Sequence, residues 1–311
     1  MIARRFGTAQ VLGLWLSLAA ISVAATPVTS HAQRAFATAE QAVDALIAAT
    51  RANQVEALAQ VLGPGGTKLI HSGDPVADKN ERERFLAAYD EAHRIDAESS
   101  DKAVLIVGKE EWPLPIPLTH TSSGWHFDTL AAEQEILDRR IGRNELNVIE
   151  VCRAYVEAQR EYAAIMTTSG GQPEYAQHFK SHAGSHDGLY WEIKADEAQS
   201  PLGPLVAQAQ AGGYATERPV GRREPYHGYY FKILTRQGAH APGGAKNYVT
   251  DEHMTGGFGL VAYPAIYGDS GIMTFIVGAE GIVFEKNLGP KTESIARRIE
   301  AFDPDESWHT P

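Results

Sequence analysis

The chain has 311 residues, of which 43% are hydrophobic and 22% are charged. This composition is that of a globular protein, and it excludes both a disordered chain and a bundle of membrane helices. The length allows one large domain or two domains of ordinary size. The formal net charge of −11 argues against nucleic acid and anionic membrane surfaces as partners.

Residues 1–32 have the pattern of a secretory signal peptide. Two arginines precede an apolar run over residues 11–25, and small residues then lead up to Ala32. The apolar run is shorter than the roughly 20 residues that a membrane-spanning helix needs. We therefore predict a periplasmic or secreted protein that begins at Gln33 and has no stable membrane insertion. Cleavage after Ala25 is the alternative, and the pattern leaves open whether export follows the general or the twin-arginine route.

Removal of the signal peptide changes the charge balance only slightly. It takes away two of the 28 basic residues and none of the 39 acidic ones, so the formal charge falls from −11 to −13. The only cysteine is Cys152, which excludes an internal disulfide and a lipid-bearing cysteine after the signal. We expect Cys152 to be a small buried thiol, because it lies on the apolar face of a predicted helix.

The first predicted part of the mature chain, residues 33–130, contains helices and then short strands. Apolar residues recur at helical spacing over residues 36–62, and a second helix is predicted over residues 78–93. Asp74 and Asp78 are interpreted as caps of turns and of this second helix. Alternating patterns then predict an antiparallel meander of three short strands, at residues 103–108, 112–120 and 124–129. Prolines at alternate positions remove amide hydrogens from one side of the predicted strand over residues 112–120 and so indicate an edge strand: Pro113, Pro115 and Pro117.

The second predicted part, residues 131–311, begins with the longest helical pattern of the chain, over residues 132–166. Gly142 is a candidate site for a split or a kink. Strand patterns follow over residues 226–238 and 256–264, and a β-hairpin is predicted over residues 271–289. The fold class predicted is therefore α+β, in which N-terminal helices and a meander precede a long helix packed on a C-terminal antiparallel sheet.

The letters GDSG at residues 268–271 surround the nucleophilic serine in trypsin-like proteases. A serine nucleophile also needs a histidine base, a group that orients the base, and backbone donors for the oxyanion. The sequence around Ser270 specifies none of them. We interpret the motif as a bend before the hairpin, in which Gly268 and Gly271 supply backbone freedom. We predict no catalytic residue and no cofactor.

Three histidines lie at steps of four: His178, His182 and His186. On a helix this spacing would direct two imidazoles toward one metal ion. Gly184 weakens a helix where the third ligand would be needed, and twelve histidines in the chain produce such spacing by chance. The pattern is therefore interpreted as a solvated surface patch, and no metal is predicted.

Two aromatic-dense blocks, residues 187–192 and 225–231, lie on either side of a predicted loop over residues 210–225. We expect them to converge when that loop folds back. Aromatic rings offer a large contact area to a partner at low cost in conformational entropy, and a nearby carboxylate can orient that partner. The predicted partner-binding residues are Asp187, Tyr190, Trp191, Tyr226, Tyr229 and Tyr230. Plain packing of these rings in the core is the alternative.

Several blocks of sequence together resemble a bacterial exported family catalogued as domain of unknown function 2950. They include HSGDPVAD (71–78), WPLPIPL (112–118), RRIGRNEL (139–146), DGLYW (187–191), YHGYYFKIL (226–234) and the block that contains YGDSGIMTF (267–275). The resemblance implies an envelope protein but supplies no activity. The C-terminal block also looks like segments of pilin-type heads, although this chain lacks the processed N-terminal hydrophobic helix of a pilin.

These observations favour an exported envelope protein that acts as a non-enzymatic periplasmic binding or assembly factor. Its partner would be an envelope component: a protein, a peptide or a glycan. The alternative is an envelope hydrolase that uses Ser270 or a pair formed by a histidine and a carboxylate.

Overall fold

The computed structural model describes residues 33–193, 199–215 and 224–311. The predicted signal peptide and part of the loop predicted over residues 210–225 lie outside the described residues. The N-terminal helices are α1 (Ala39–Arg51), α2 (Val55–Leu62), α3 (Gly66–Ile70) and α4 (Pro75–Glu91). The strands that follow are β1 (His93–Ala97), β2 (Lys102–Val107), β3 (Trp112–Pro113), β4 (Leu118–Thr121) and β5 (Gly124–Phe127).

The helical pattern predicted over residues 36–62 forms two helices rather than one. The chain breaks after α1 at Asn53, which takes a left-handed conformation with φ of 50°. Helix α4 begins three residues earlier than predicted because Asp74 caps it. The Asp74 carboxylate accepts hydrogen bonds from the amides of Val76 and Ala77, and Pro75 occupies the first helical turn.

The N-terminal sheet is antiparallel, with strand order β1-β2-β4-β5 and with β3 paired to β2. Strand β1 was missed by the sequence analysis. The strand predicted over residues 112–120 is wrong in its middle: Trp112 and Pro113 pair with β2, the register then breaks, and pairing with β2 resumes at Leu118. Three prolines lack the amide hydrogens that a ladder needs, so this segment cannot continue as one strand.

The remaining elements begin with the long helix α5 (Thr129–Ile165), which is continuous through Gly142. They continue with β6 (His178–Lys180), β7 (Gly188–Tyr190), α6 (Gly203–Ala211), β8 (Tyr229–Leu234), β9 (Arg236–Gln237), β10 (Lys246–Asn247), β11 (Val249–Thr250), β12 (His253–Met254), β13 (Gly259–Pro264), β14 (Met273–Gly278), β15 (Val283–Asn287) and, after a 3-10 turn at Gly289–Lys291, α7 (Thr292–Ala296). The predicted hairpin is confirmed, because β14 and β15 pair antiparallel from Val277 opposite Val283.

The C-terminal sheet has the strand order β15-β14-β13-β8, and all of its pairs are antiparallel. Its two faces are covered by different elements. Leu260, Ala262 and Phe275 pack in one cluster with the apolar side of α5. Val261 and Ile276 point the other way and pack with Phe302. This alternation is the period of two that a strand requires.

Cys152 belongs to the cluster between α5 and the sheet and is fully buried. Burial raises the pKa of its thiol to about 12, so the thiol stays protonated at neutral pH. A separate cluster lies between the N-terminal helices and their sheet, and it includes Leu46, Leu105 and Ala132. Helix α5 therefore contributes to two cores, through Ala132 and through its later turns.

The α+β fold class and the long helix packed on a C-terminal antiparallel sheet are confirmed. The division of the mature chain at residue 130 stays a prediction. Among the described residues, no helix combines the length and the apolar character needed to cross a bilayer.

Candidate functional site

Blocks of chain that are far apart in the sequence meet in a group of buried polar contacts, called here the polar seam. Its first part is the ion pair between Arg140 on α5 and Asp269 before β14, and the side chains of both are about one-tenth exposed. The guanidinium of Arg140 also donates to the carbonyls of Lys68 and Leu69. Burial raises the pKa of Asp269, although the charge of Arg140 opposes this shift.

A second part of the polar seam joins α4 to the start of β8. Asp74 is only 1% exposed, and beyond its capping bonds it accepts hydrogen bonds from the Tyr214 hydroxyl at 2.8 Å and from the Gly228 amide at 3.0 Å. Four donors thus satisfy a carboxylate that would otherwise be costly to bury. The consequence is that Asp74 connects Tyr214 to the segment that precedes β8.

A third part of the polar seam shapes the turn that contains Ser270. The hydroxyl of Ser270 accepts from the amide of Ile266 at 2.9 Å and donates to its carbonyl at 3.2 Å. Ser270 is fully buried, and no histidine is among the described partners of its hydroxyl. The interpretation of GDSG as a bend is confirmed. Among the described residues, the hydroxyl of Ser270 has neither the exposure nor the neighbouring base that a nucleophile needs.

The two glycines of this bend act differently from one another. Gly268 has a φ of +77°, as expected for a residue that supplies backbone freedom. Gly271 does not need an unusual φ. A Cβ atom at Gly271 would lie 2.0 Å from the hydroxyl of Tyr229, so this position is limited to glycine by the close approach of a buried ring.

A cavity of about 660 Å³, called here the tyrosine cavity, lies beside the polar seam. Six tyrosines whose rings are partly or fully buried contribute to its wall: Tyr155, Tyr190, Tyr214, Tyr226, Tyr229 and Tyr230. Apolar side chains from α5, β6, α6 and β13 form much of the rest, among them Val151, Phe179, Leu202, Leu205, Val206 and Leu260. Lys180 and Glu224 are its charged lining residues. The cavity therefore presents rings and aliphatic groups with a few polar atoms.

Tyr214 and Tyr226 stand between this cavity and a second one of about 380 Å³, called here the arginine cavity. Their rings meet edge to face, with centroids 4.9 Å apart. Burial raises the pKa of both hydroxyls, and the charge of Asp74 raises that of Tyr214 further. Both phenols are therefore neutral at physiological pH. The arginine cavity is lined by polar groups that include Asp78, Asn80, Arg82, Arg140, Arg143 and His227.

A third cavity, of about 430 Å³, lies among the N-terminal elements. It is lined by Leu46, Leu58 and Phe85 together with arginines of α4 and α5. It contains none of the residues that the sequence analysis proposed for partner binding.

Four of the six proposed partner-binding residues meet in the tyrosine cavity: Tyr190, Tyr226, Tyr229 and Tyr230. The other two lie elsewhere. Trp191 is 6% exposed and stacks on His186, with ring centroids 4.4 Å apart. Asp187 bonds to His182 and Ser185 within its own turn. The proposed residues therefore divide between the cavity wall, a buried tryptophan and a surface turn.

The sequence analysis missed Tyr214 and the helix α6, whose residues Leu205, Val206 and Ala209 form one side of the cavity. A signal for α6 was present in the sequence: a proline follows its first residue and apolar residues lie at Leu205 and Val206. No local sequence pattern predicts that Tyr214 lines a cavity, because its position depends on Asp74, which lies 140 residues earlier in the chain.

The family resemblance predicted from the sequence is confirmed by comparison with known proteins. No curated protein and no solved structure matches the chain. One family, described as "Protein of unknown function (DUF2950)", matches residues 33–310. That range covers all of the segments that form the polar seam and the tyrosine cavity. The chain belongs to this family of proteins of unknown function, DUF2950.

Proposed function

We propose that this protein is an exported envelope protein that binds its partner without converting it, and that the tyrosine cavity holds an apolar group of that partner. The observation that carries this proposal is the cavity itself. Its volume of about 660 Å³ lies within the range of roughly 300–1,000 Å³ that is usual for ligand sites in proteins. It is also larger than the arginine cavity and the third cavity, which lies among the N-terminal elements.

The lining favours an apolar segment of a peptide or protein as the occupant. Tyrosine rings and aliphatic side chains offer a large contact area, and the tyrosine hydroxyls can orient a backbone group at the edge of the cavity. A glycan needs many hydrogen-bonding groups around its hydroxyls. Lys180 and Glu224 are the only charged groups among the described lining residues, which makes a glycan the less suitable occupant.

The same lining supports binding rather than catalysis. A general acid or base needs a pKa near the working pH, whereas burial raises the pKa values of Tyr214, Tyr226 and Tyr229 above their ordinary value. The hydroxyl of Ser270 is hydrogen-bonded to the amide and the carbonyl of Ile266. The hydrolase alternative therefore gains no support from these groups.

A cavity-filling variant on α6 tests the binding proposal. Ala209 is half-buried and lines the cavity, whereas Ala207 on the same helix is exposed and lines none of the three cavities described above. We expect the uncharged fluorescent probe phenylnaphthylamine to bind the protein at one site. Ala209→Phe should weaken this binding at least tenfold because the new ring occupies the cavity, while Ala207→Phe should leave it unchanged.

The outcome is interpretable only when both variants are folded, so their melting temperatures are measured first. Equal probe binding by folded Ala209→Phe and by the wild-type protein would show that the probe does not use the tyrosine cavity. Absence of saturable binding to the wild-type protein would also contradict the proposal.

The export part of the proposal is tested by the mass of the mature protein. We expect the protein recovered from the periplasm or the culture medium of its bacterial host to begin at Gln33, because small residues at the end of residues 1–32 fit a signal cleavage site. Intact-mass measurement on fractionated cells decides this. A chain that retains Met1 in every fraction would contradict export, and a chain that begins after Ala25 would support export but correct the site.

A further inference from the structure

A surface turn separate from the tyrosine cavity brings together three side chains that can bind a metal ion. Strands β6 and β7 pair in parallel, with His178 opposite Gly188. The segment that joins them, residues 181–187, is called here the histidine turn. It folds back so that one ligand atom from each of His178, His182 and Asp187 lies within 4.8 Å of the other two.

The carboxylate of Asp187 fixes the shape of this turn. Its Oδ1 atom accepts from the backbone amide of His182 at 2.9 Å and from the hydroxyl of Ser185 at 2.6 Å. Its Oδ2 atom lies 2.6 Å from Nδ1 of His182. These contacts place the imidazole and the carboxylate side by side before any ion binds.

His178 completes the group from the neighbouring strand. Its ring meets the ring of His182 edge to face, with centroids 5.1 Å apart. All three side chains are exposed, so an ion can reach them from solvent. Asp187 supplies a carboxylate oxygen to the group.

We propose that His178, His182 and Asp187 form a binding site for a divalent transition-metal ion, with Zn²⁺ as the best match. Imidazole nitrogen and carboxylate oxygen are common zinc ligands, at metal–ligand distances of about 2.0–2.2 Å. Tetrahedral ligands at such distances lie roughly 3.4 Å apart. Binding therefore needs shifts of about 1–1.5 Å in an exposed turn, in which the 2.6 Å contact between His182 and Asp187 opens, and the fourth position remains open to water.

The arrangement differs from the one that the histidine spacing suggested. The segment is a strand followed by a turn rather than a helix. Asp187 supplies the third ligand, whereas the spacing of the histidines suggested His186. The ring of His186 stacks on the buried Trp191 instead. The site does not depend on the binding role proposed for the tyrosine cavity, and the two can fail separately.

The test is calorimetric titration of ZnCl₂ into untagged, chelator-treated protein, with native mass spectrometry for the stoichiometry. We expect one Zn²⁺ per chain. His178→Ala, His182→Ala and Asp187→Asn should each weaken binding at least tenfold. The matched control is His240→Ala, because His240 is also exposed and lies 3.0 Å from a carboxylate, Asp303, but belongs to no group of three such ligands among the described residues.

Circular dichroism melting confirms that each variant is folded, and the exposure of the substituted side chains predicts melting temperatures close to that of the wild-type protein. Zinc should also raise the melting temperature of the wild-type protein and not that of His178→Ala. Three results would overturn the proposal: no saturable zinc binding, unchanged affinity in His178→Ala and His182→Ala, or an equal loss of affinity in His240→Ala.

Discussion

Replacing Arg140 by alanine is expected to lower the free energy of unfolding by about 3–5 kcal/mol. The substitution leaves the carboxylate of Asp269 buried without its partner. It also removes the donor that serves the carbonyls of Lys68 and Leu69. Breaking one side of a buried ion pair costs far more than removing an exposed pair, because the remaining charge has lost its solvation.

The neighbouring Arg139 provides the matched control. It lies on the same helix and pairs with Glu135, and both side chains are more than half exposed. Arg139→Ala should change the free energy of unfolding by no more than about 0.5 kcal/mol. Urea denaturation of the two variants makes the comparison. Equal stabilities would show that the polar seam contributes little to the fold.

A double variant separates the loss of the pair from the burial of a lone charge. Arg140→Met combined with Asp269→Leu removes both charges and keeps most of the volume. We expect this variant to be more stable than Arg140→Ala, because replacement of a buried pair by apolar groups is often close to neutral. A double variant as unstable as the single one would assign the effect to packing or to the carbonyls of Lys68 and Leu69.

Replacing Gly271 by alanine is expected to cost about 3 kcal/mol of stability. The new Cβ atom would lie 2.0 Å from the hydroxyl oxygen of Tyr229 and 2.5 Å from its Cζ atom. Tyr229 is fully buried, and its hydroxyl donates to the carbonyl of Met273 at 3.0 Å. The ring cannot move away without losing this bond and disturbing the wall of the tyrosine cavity.

Gly268→Ala is the control for this prediction. Gly268 has a positive φ, and a Cβ atom there would meet no atom within 4 Å, so the expected cost is only the backbone term of about 1–2 kcal/mol. Thermal and urea unfolding measure both variants. We also expect Gly271→Ala to weaken phenylnaphthylamine binding more than Gly268→Ala does. The reverse order of stabilities would mean that backbone conformation, and not the approach of Tyr229, selects glycine at residue 271.

Elements with a strong local pattern were predicted well. The helix α5 and the hairpin of β14 and β15 each have a regular apolar period, and both are present. Local rules were less successful where two of them compete. Alternation favoured a strand over residues 112–120, but the prolines there remove the donors of the ladder, and pairing with β2 is interrupted between Pro113 and Leu118.

The candidate site could be predicted only in part. Density of aromatic residues led to Tyr190, Tyr226, Tyr229 and Tyr230, but density does not distinguish a ring in a cavity wall from a ring in the core, as Trp191 shows. The polar seam was not predictable, since Arg140 and Asp269 lie 129 residues apart. Such pairs are specified by the packing of the whole chain and leave no spacing in the sequence.

The most direct test of the binding proposal locates the probe in the molecule by nuclear magnetic resonance of leucine and valine methyl groups. Phenylnaphthylamine is titrated into methyl-labelled protein, and chemical-shift changes are assigned to residues. We expect the largest changes at Leu205, Val206 and Leu260, which line the tyrosine cavity. Changes confined to Leu46 and Leu58, which line the third cavity, would contradict the binding proposal. The absence of saturable changes would contradict it as well.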